Sequence, residues 1–382
     1  MRLSLLAAST AALSTPILAF DIDTTSPPSI KSSASTIASS IVSMYPNKAL
    51  ALLSPPSWWW QSGLTLDGLT TYYHTTGDAQ YNDLIARTLQ SQATGSNDFM
   101  TPDATGNDDQ AWWALAAMSA AEYGIPSPAG SPSFLAIAQN VFNEQKSRWD
   151  NARCNGGMKW KINPSDDGYH YKSTISNGLF FQLAARIARF TGDADAASWA
   201  SKSYDWVVSV GLIDGSYNVF DGTDDAKGTG CVDVNHDLWS YNTGVFLYGA
   251  AVMADKTGDA KWSDRAKGFL GAAEKSFVRN GGLFEQKCEG DGSCNTDQKS
   301  FKAALARWMG ASATLLPELA GDVQKIIGQA ARAVSGGWTQ SWGPGEQLAA
   351  LDMVDAVMCG VGQGAPGKPR VGKRKIGRAF IA

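Results

Sequence analysis

Apolar residues recur along this chain at three- and four-residue spacing, not in alternation, through about twelve successive segments. The pattern predicts helices over residues 31–45, 63–76, 79–92, 107–123, 132–147, 173–191, 194–210, 237–257, 260–277, 298–316, 319–334 and 346–359. Segment 173–191 is typical: Leu179, Leu183 and Ile187 make one stripe, backed by Phe180 and Ala184. Strand patterns are scarce and confined to loop fragments such as 283–286.

A repeated turn organises these helices. Thr76-Gly77-Asp78, Thr191-Gly192-Asp193 and Thr257-Gly258-Asp259 each end one helix and start another. Glycine supplies a left-handed C-cap and aspartate caps the next helix. Short turns therefore join helices within a pair, and long loops (93–106, 148–172, 211–236, 278–297) join successive pairs. If pair members lie antiparallel, every long loop falls on one face. Six such hairpins in a ring, with 346–359 closing onto 31–45, predict an all-α fold, an (α/α)6 toroid. The long-loop face then carries the inner-helix N-termini and most of the polar and aromatic loop residues, among them Trp58, Trp59, Trp60, Trp149, Asp150, Lys159, Trp160, Asp221, Asp224, Asp225, Glu285 and Glu289.

Composition narrows the class. The chain has 382 residues, 44% of them hydrophobic, which is ample for a core. A net charge of −4 gives no reason to expect nucleic acid. Arg2 followed by a largely apolar run ending at Ala19 reads as a secretory leader over 1–19, too short and too Ser/Thr-broken to span a bilayer. Residues 20–360 form the expected catalytic domain. The basic, Gly/Pro-rich stretch 361–382 reads as a disordered tail without the hydrophobic segment of a GPI signal. A secreted chain can hold disulfides. Cys288 and Cys294 sit in one Gly-rich loop and are expected to pair; Cys154 and Cys231 can pair as loop staples; Cys359 is left in an apolar helix. The three histidines lack zinc spacing, and no phosphate loop or nucleophile elbow is present, so no metal and no cofactor is expected.

Candidate chemistry concentrates at Gly106-Asn107-Asp108-Asp109-Gln110-Ala111-Trp112-Trp113. Hydrolysing a glycoside takes two carboxyls, and sugar rings stack on indoles. Asp108 and Asp109 fall in a first helical turn, about 100° apart around the axis. Mutual repulsion raises one pKa while the helix N-terminus stabilises the other group as an anion. An Asp-Asp pair at a helix start is also ordinary capping chemistry, and spacing alone does not separate the two. The paired tryptophans one turn on, and the position at the end of a long loop, favour the sugar site.

Six ordered blocks carry a resemblance: 106–113 (GNDDQAWW), 149–160 (WDNARCNGGMKW), 172–179 (KSTISNGL), 239–249 (WSYNTGVFLYG), 288–297 (CEGDGSCNTD) and 298–309 (QKSFKAALARWM). With them the chain resembles glycoside hydrolase family 76, the endo-α-1,6-mannanases, and more closely its fungal Dfg5/Dcw1-like cell-wall branch. The resemblance implies an (α/α)6 barrel and a retaining mechanism, with Asp108 as nucleophile and Asp109 as acid/base. Asn107, Trp112, Trp113, Asn177, Trp239, Tyr241 and Asn242 match motif positions expected near the substrate groove. It implies α-1,6-mannose oligosaccharides as substrate, with GPI-anchored glycoproteins and wall glucan as further partners, and a secreted monomer at the wall or outer membrane face. A non-catalytic mannan-binding wall protein on the same fold is the alternative; hydrolysis and transglycosylation share one intermediate and are not separable here.

Overall fold

The structure, a computed structural model, describes residues 19–226 and 230–358. The expected leader (except Ala19), the basic tail and Cys359 lie outside these residues. Twelve α-helices run through the described chain: α1 (Pro27–Ser43), α2 (Trp59–Thr76), α3 (Asn82–Gln92), α4 (Asn107–Glu122), α5 (Phe134–Ser147), α6 (Thr174–Thr191), α7 (Ala194–Ser209), α8 (Ser240–Thr257), α9 (Ala260–Phe277), α10 (Gln298–Leu315), α11 (Ala320–Gly337) and α12 (Pro344–Val357). Helices α2, α4, α6, α8, α10 and α12 pack each on the next and close into an inner ring. The odd-numbered helices pack outside it, and α1 closes onto α12. This is the expected (α/α)6 toroid.

Burial follows from position in the ring. Almost every residue of α6 from Thr174 to Arg189 is buried, whereas α7 buries one stripe (Ala196, Ala200, Ser203, Tyr204, Trp206, Val207). A helix apolar on all sides is a core helix, and an amphipathic one covers it. The repeated turn works as its sequence suggests: Gly77, Gly192 and Gly258 end α2, α6 and α8 in the left-handed region, and Asp193 and Asp259 cap α7 and α9. Asp78 differs. It accepts from the Gln80 amide and the Tyr72 hydroxyl within a turn, so α3 starts at Asn82 and not at 79. Helix α2 starts four residues before the expected 63, because the Gln61 side chain accepts from the Trp58 amide and draws the tryptophan run into a first turn.

Strands that periodicity does not reveal sit on the long-loop face. β1 (Tyr171–Ser173), β2 (Phe220–Asp224) and β3 (Asp233–Leu238) form an antiparallel sheet in that order. Segments reading FDGTD and DVNHDL have little strand propensity, so pairing and not propensity makes them strands. As a result the helix expected from 237 begins at Ser240. The 283–286 fragment contributes only Leu283, in a hairpin of β4 (Val278–Arg279) and β5 (Gly282–Leu283). Disulfides join Cys154 to Cys231 and Cys288 to Cys294, with Cα atoms 5.5 and 4.7 Å apart. Among the described residues no helix is long and apolar enough to cross a membrane.

Ion pairs stitch the inner ring away from the loop face. Arg307 on α10 donates to Asp67 on α2 at 2.7 Å and to Asp352 on α12 at 3.0 and 2.7 Å. Arg186 on α6 grips Glu122 on α4, closest at 2.7 Å, and Arg189 grips Asp255 on α8 at 2.7 Å.

Candidate active site

Gly106 is the N-cap of α4, and both carboxylates fold back over it. Asp109, the third residue of the helix, accepts the Gly106 amide at 2.7 Å and the Thr105 hydroxyl at 3.1 Å, both through Oδ2. Asp109 therefore does cap the helix, and its Oδ1 is left for other work. Asp108 Oδ2 accepts the Trp160 indole N–H at 3.0 Å; no hydrogen-bond partner among the described residues reaches Oδ1. The two side chains do not simply diverge. A methyl carbon on Gly106 would lie 2.3 Å from Asp108 Oδ1 and 3.0 Å from Asp109 Oδ2. Those oxygens are thus no more than about 5.3 Å apart, an upper bound that falls short of the ~6.5–9.5 Å of an inverting pair and is compatible with the ~5–5.5 Å of a retaining one.

Gly106→Ala tests this convergence. Its φ of −111° suits any residue, so the substitution collides with a movable carboxylate and not with the backbone. The expected result is a kcat about 10²-fold lower with a near-unchanged melting temperature, measured by steady-state kinetics and calorimetry.

Electrostatics separate the pair. Burial pushes Asp108 up to about 8, with the Asp109 charge adding to it. Burial raises Asp109 as well, against the Gly106 amide, the Lys161 charge and the Thr105 hydroxyl. Both carboxyls are thus harder to ionise than free ones, and the hydrogen bonds from Gly106 and Thr105 favour the anion of Asp109 over that of Asp108.

The pair opens into a depression of about 680 Å³. Trp112, Trp60, Tyr241 and Phe301 give it aromatic walls. Trp112 lies parallel to Trp308 at 5.7 Å and to Tyr241 at 6.3 Å, and Tyr241 lies on Phe301 at 3.9 Å. The small sheet supplies the polar wall: the Tyr171 hydroxyl donates to Asp221 at 2.6 Å, and Asn235 donates to the same carboxylate at 3.2 Å. Asp297, the residue before α10, closes the rim; burial pushes it up to about 6 against a Trp60 hydrogen bond. Trp60, Asp109, Trp160 and Asp297 also line a second, adjoining depression of about 910 Å³, where Trp58 is 61% exposed. The Asp pair thus stands at the junction of one continuous groove.

The structure brings Asp108, Asp109, Trp112 and Tyr241 together in the groove. It places the other expected residues elsewhere. Trp113 is fully buried under Trp59 at 4.9 Å, so it packs the ring. Asn107 donates to the Lys159 carbonyl at 2.9 Å, and Asn177 holds both the amide and carbonyl of Met158. Both asparagines clamp the 148–170 loop. Trp239 caps α8 and meets Phe301 edge-on at 5.5 Å. Asn242 is fully buried next to Tyr241 on α8, and no hydrogen-bond partner among the described residues reaches its side-chain amide. Trp338 also packs, donating to Gln347 at 2.8 Å.

Sequence reasoning did not single out Thr105, Lys161, Tyr171 or Asp297. Their signal is proximity in sequence: each borders a helix or block already noted, but no periodicity marks loop residues. Glu285 is a cap, as its loop position suggests. Buried, pushed up to about 7, it accepts from the Ser240 amide and hydroxyl and fixes the start of α8 beside Tyr241. Asp225 is buried and paired with Lys159 and His170. Among the described residues no group of His, Cys, Asp and Glu is placed to hold a metal ion.

A ring of helical hairpins with paired carboxyls in an aromatic groove defines the class of toroidal glycoside-processing proteins. Residues 29–364 match Glycosyl hydrolase family 76. The chain belongs to that family. It is 37% identical to the mannan endo-1,6-alpha-mannosidase DCW1 of Eremothecium gossypii, over 94% of this chain and 84% of that protein. Its fold matches the crystal structure of Dfg5 from Chaetomium thermophilum in complex with glucosamine, with a TM-score of 0.85 and 31% identity, covering 93% of this chain and 98% of the other. It also matches, with a TM-score of 0.70 and 19% identity over 86% of this chain and 98% of the other, an inactive variant of the alpha-1,6-mannanase of Salegentibacter sp. in complex with alpha-1,6-mannotetrose.

Proposed function

We propose that the protein is a retaining glycosidase or transglycosylase acting on α-1,6-linked mannose in fungal-type cell-wall biogenesis. The observation that carries this is the convergence of Asp108 and Asp109 over Gly106, closer than an inverting pair stands, at the junction of an aromatic groove. Asp108 attacks the anomeric carbon and forms a glycosyl ester while Asp109 protonates the departing oxygen. Asp109 then takes a proton from the incoming water or sugar hydroxyl, which displaces Asp108 from the same carbon. Two inversions leave the configuration unchanged.

At rest the hydrogen bonds favour the anion of Asp109, the reverse of what the reaction needs. Substrate corrects it: a glycosidic oxygen can only accept a hydrogen bond, so it favours protonated Asp109, and positive charge developing at the anomeric carbon favours ionised Asp108. Half-buried Trp60 and Tyr241 offer aromatic surface, backed by the buried Trp112, and Asp221 with Tyr171 offers partners for sugar hydroxyls. The donor we assign is the α-1,6-mannose core of a GPI-anchored glycoprotein, the acceptor wall glucan, and the place of action the wall or outer membrane face. The name of the DCW1 relative, a mannan endo-1,6-alpha-mannosidase, supports the α-1,6-mannose part of that assignment. A non-catalytic mannan binder needs neither carboxylate, and nothing observed favours it.

Product analysis tests the reaction. With α-1,6-mannotriose alone the expected products by mass spectrometry are shorter mannosides. With a β-1,3-glucan oligosaccharide added, a mannosyl-glucan is expected. Absence of any new species under both conditions would overturn the proposal.

A further inference from the structure

Loop 148–170 reaches the Asp pair through three residues. The Asn107 amide donates to the Trp160 carbonyl at 2.8 Å, and the Ile162 amide donates to the Thr105 carbonyl at 3.0 Å. This short pairing brings two side chains to two carboxylates. Trp160 holds Asp108 directly. Lys161 reaches Asp109 indirectly: its ammonium donates to the Thr105 hydroxyl at 3.0 Å, and that hydroxyl donates to Asp109 Oδ2 at 3.1 Å. The direction of this chain is forced. An ammonium has donors only, so the Thr105 oxygen must accept from it and turn its own proton to Asp109.

The charge around the chain is lopsided. Asp108 adjoins Asp109 on α4. Asp297 faces it from the start of α10, Asp103 from the preceding loop, and Asp221, paired with Tyr171, from the sheet. Tyr241 on α8 faces Asp108. Among the described residues lining the two depressions, Lys161 is the sole cation.

We propose that Lys161, acting through the Thr105 hydroxyl, is a positioning residue that sets which carboxyl of the pair carries the charge and so where the pH–activity profile lies. The proposal rests on Asp108 and Asp109 being the reacting pair. Lys161 favours the anion of both carboxyls, and the hydroxyl delivers a further, directed share to Asp109. Removing the cation makes both harder to ionise. Because Lys161 is half-exposed, the effect is about half to one pH unit and not the several units of a buried pair.

The test is Lys161→Met, Lys161→Arg, Thr105→Val and the Lys161→Met/Thr105→Val double variant. In Lys161→Met both limbs of the kcat/KM profile on an α-1,6-mannoside move to higher pH by about half to one unit. Lys161→Arg restores them, and Thr105→Val moves the limb set by Asp109, with the double variant moving it by less than the sum of the two single shifts. The same shift is read without substrate by ¹³C NMR titration of aspartate-labelled protein, with the Asp109 signal assigned by its loss in Asp109→Asn. An Asp109 titration unmoved in Lys161→Met would overturn the proposal. So would a raised KM with unmoved limbs, which makes Lys161 a sugar contact. If the wild-type protein turns over no α-mannoside, the functional reading fails while the NMR titration still decides the role of Lys161.

Discussion

Asp108→Asn abolishes turnover of an α-1,6-mannoside while the protein still folds and still binds the sugar. The expected loss is about 10⁴-fold or more in kcat, roughly 5.5 kcal/mol of transition-state stabilisation, because an amide cannot form the glycosyl ester. Asn keeps an oxygen for the Trp160 N–H, so the groove is undisturbed. Asp109→Ala separates the roles. If Asp109 protonates the leaving group, this variant keeps near-normal glycosylation of an aryl mannoside, whose leaving group needs no proton, and loses the natural linkage. Asp108→Ala fails on both. The reverse result would assign attack to Asp109, in line with the resting preference for its anion and against the order the family resemblance implies.

Arg307→Met is the most damaging change away from the groove. It leaves Asp67 and Asp352 buried without their shared cation, and the expected cost is about 3–5 kcal/mol, read as a large drop in denaturation midpoint. The sign with pH follows from Asp352. Burial already pushes it up to about 6 although Arg307 opposes the rise. Without Arg307 its folded-state pKa climbs further above the unfolded value, so stability is fully present below the unfolded pKa and is lost as pH rises from there through the folded one. The variant should therefore be closer to wild type at pH 5 than at pH 8. A pH-independent deficit would mean that lost packing, and not the stranded carboxylates, causes the damage.

The ring was legible because its signals are local. Apolar residues recur along each helix at three- and four-residue spacing, and the repeated Thr-Gly-Asp places a left-handed glycine where the chain must reverse. The Asp pair was legible for the same reason: two acidic residues in one helical turn. The site built around it was not. Tyr171, Asp221 and Asp297 come from a strand, a second strand and a helix cap distant in sequence, and only closure of the ring brings them to Asp108. The sheet escaped because FDGTD and DVNHDL pair through backbone and carry no alternating pattern. Asn107, Trp113 and Asn177 belong to the motif blocks yet hold backbone or core, because a site that must not move needs its loop clamped as firmly as its substrate.

The central claim is that Asp108 and Asp109 converge to perform a double displacement at one anomeric carbon. Proton NMR of the first product formed from α-1,6-mannotriose tests it most directly, with spectra taken before mutarotation. The account predicts the α-anomer, from two successive inversions. Initial release of the β-anomer would contradict it, since that product requires a single inversion by water and no glycosyl ester on Asp108.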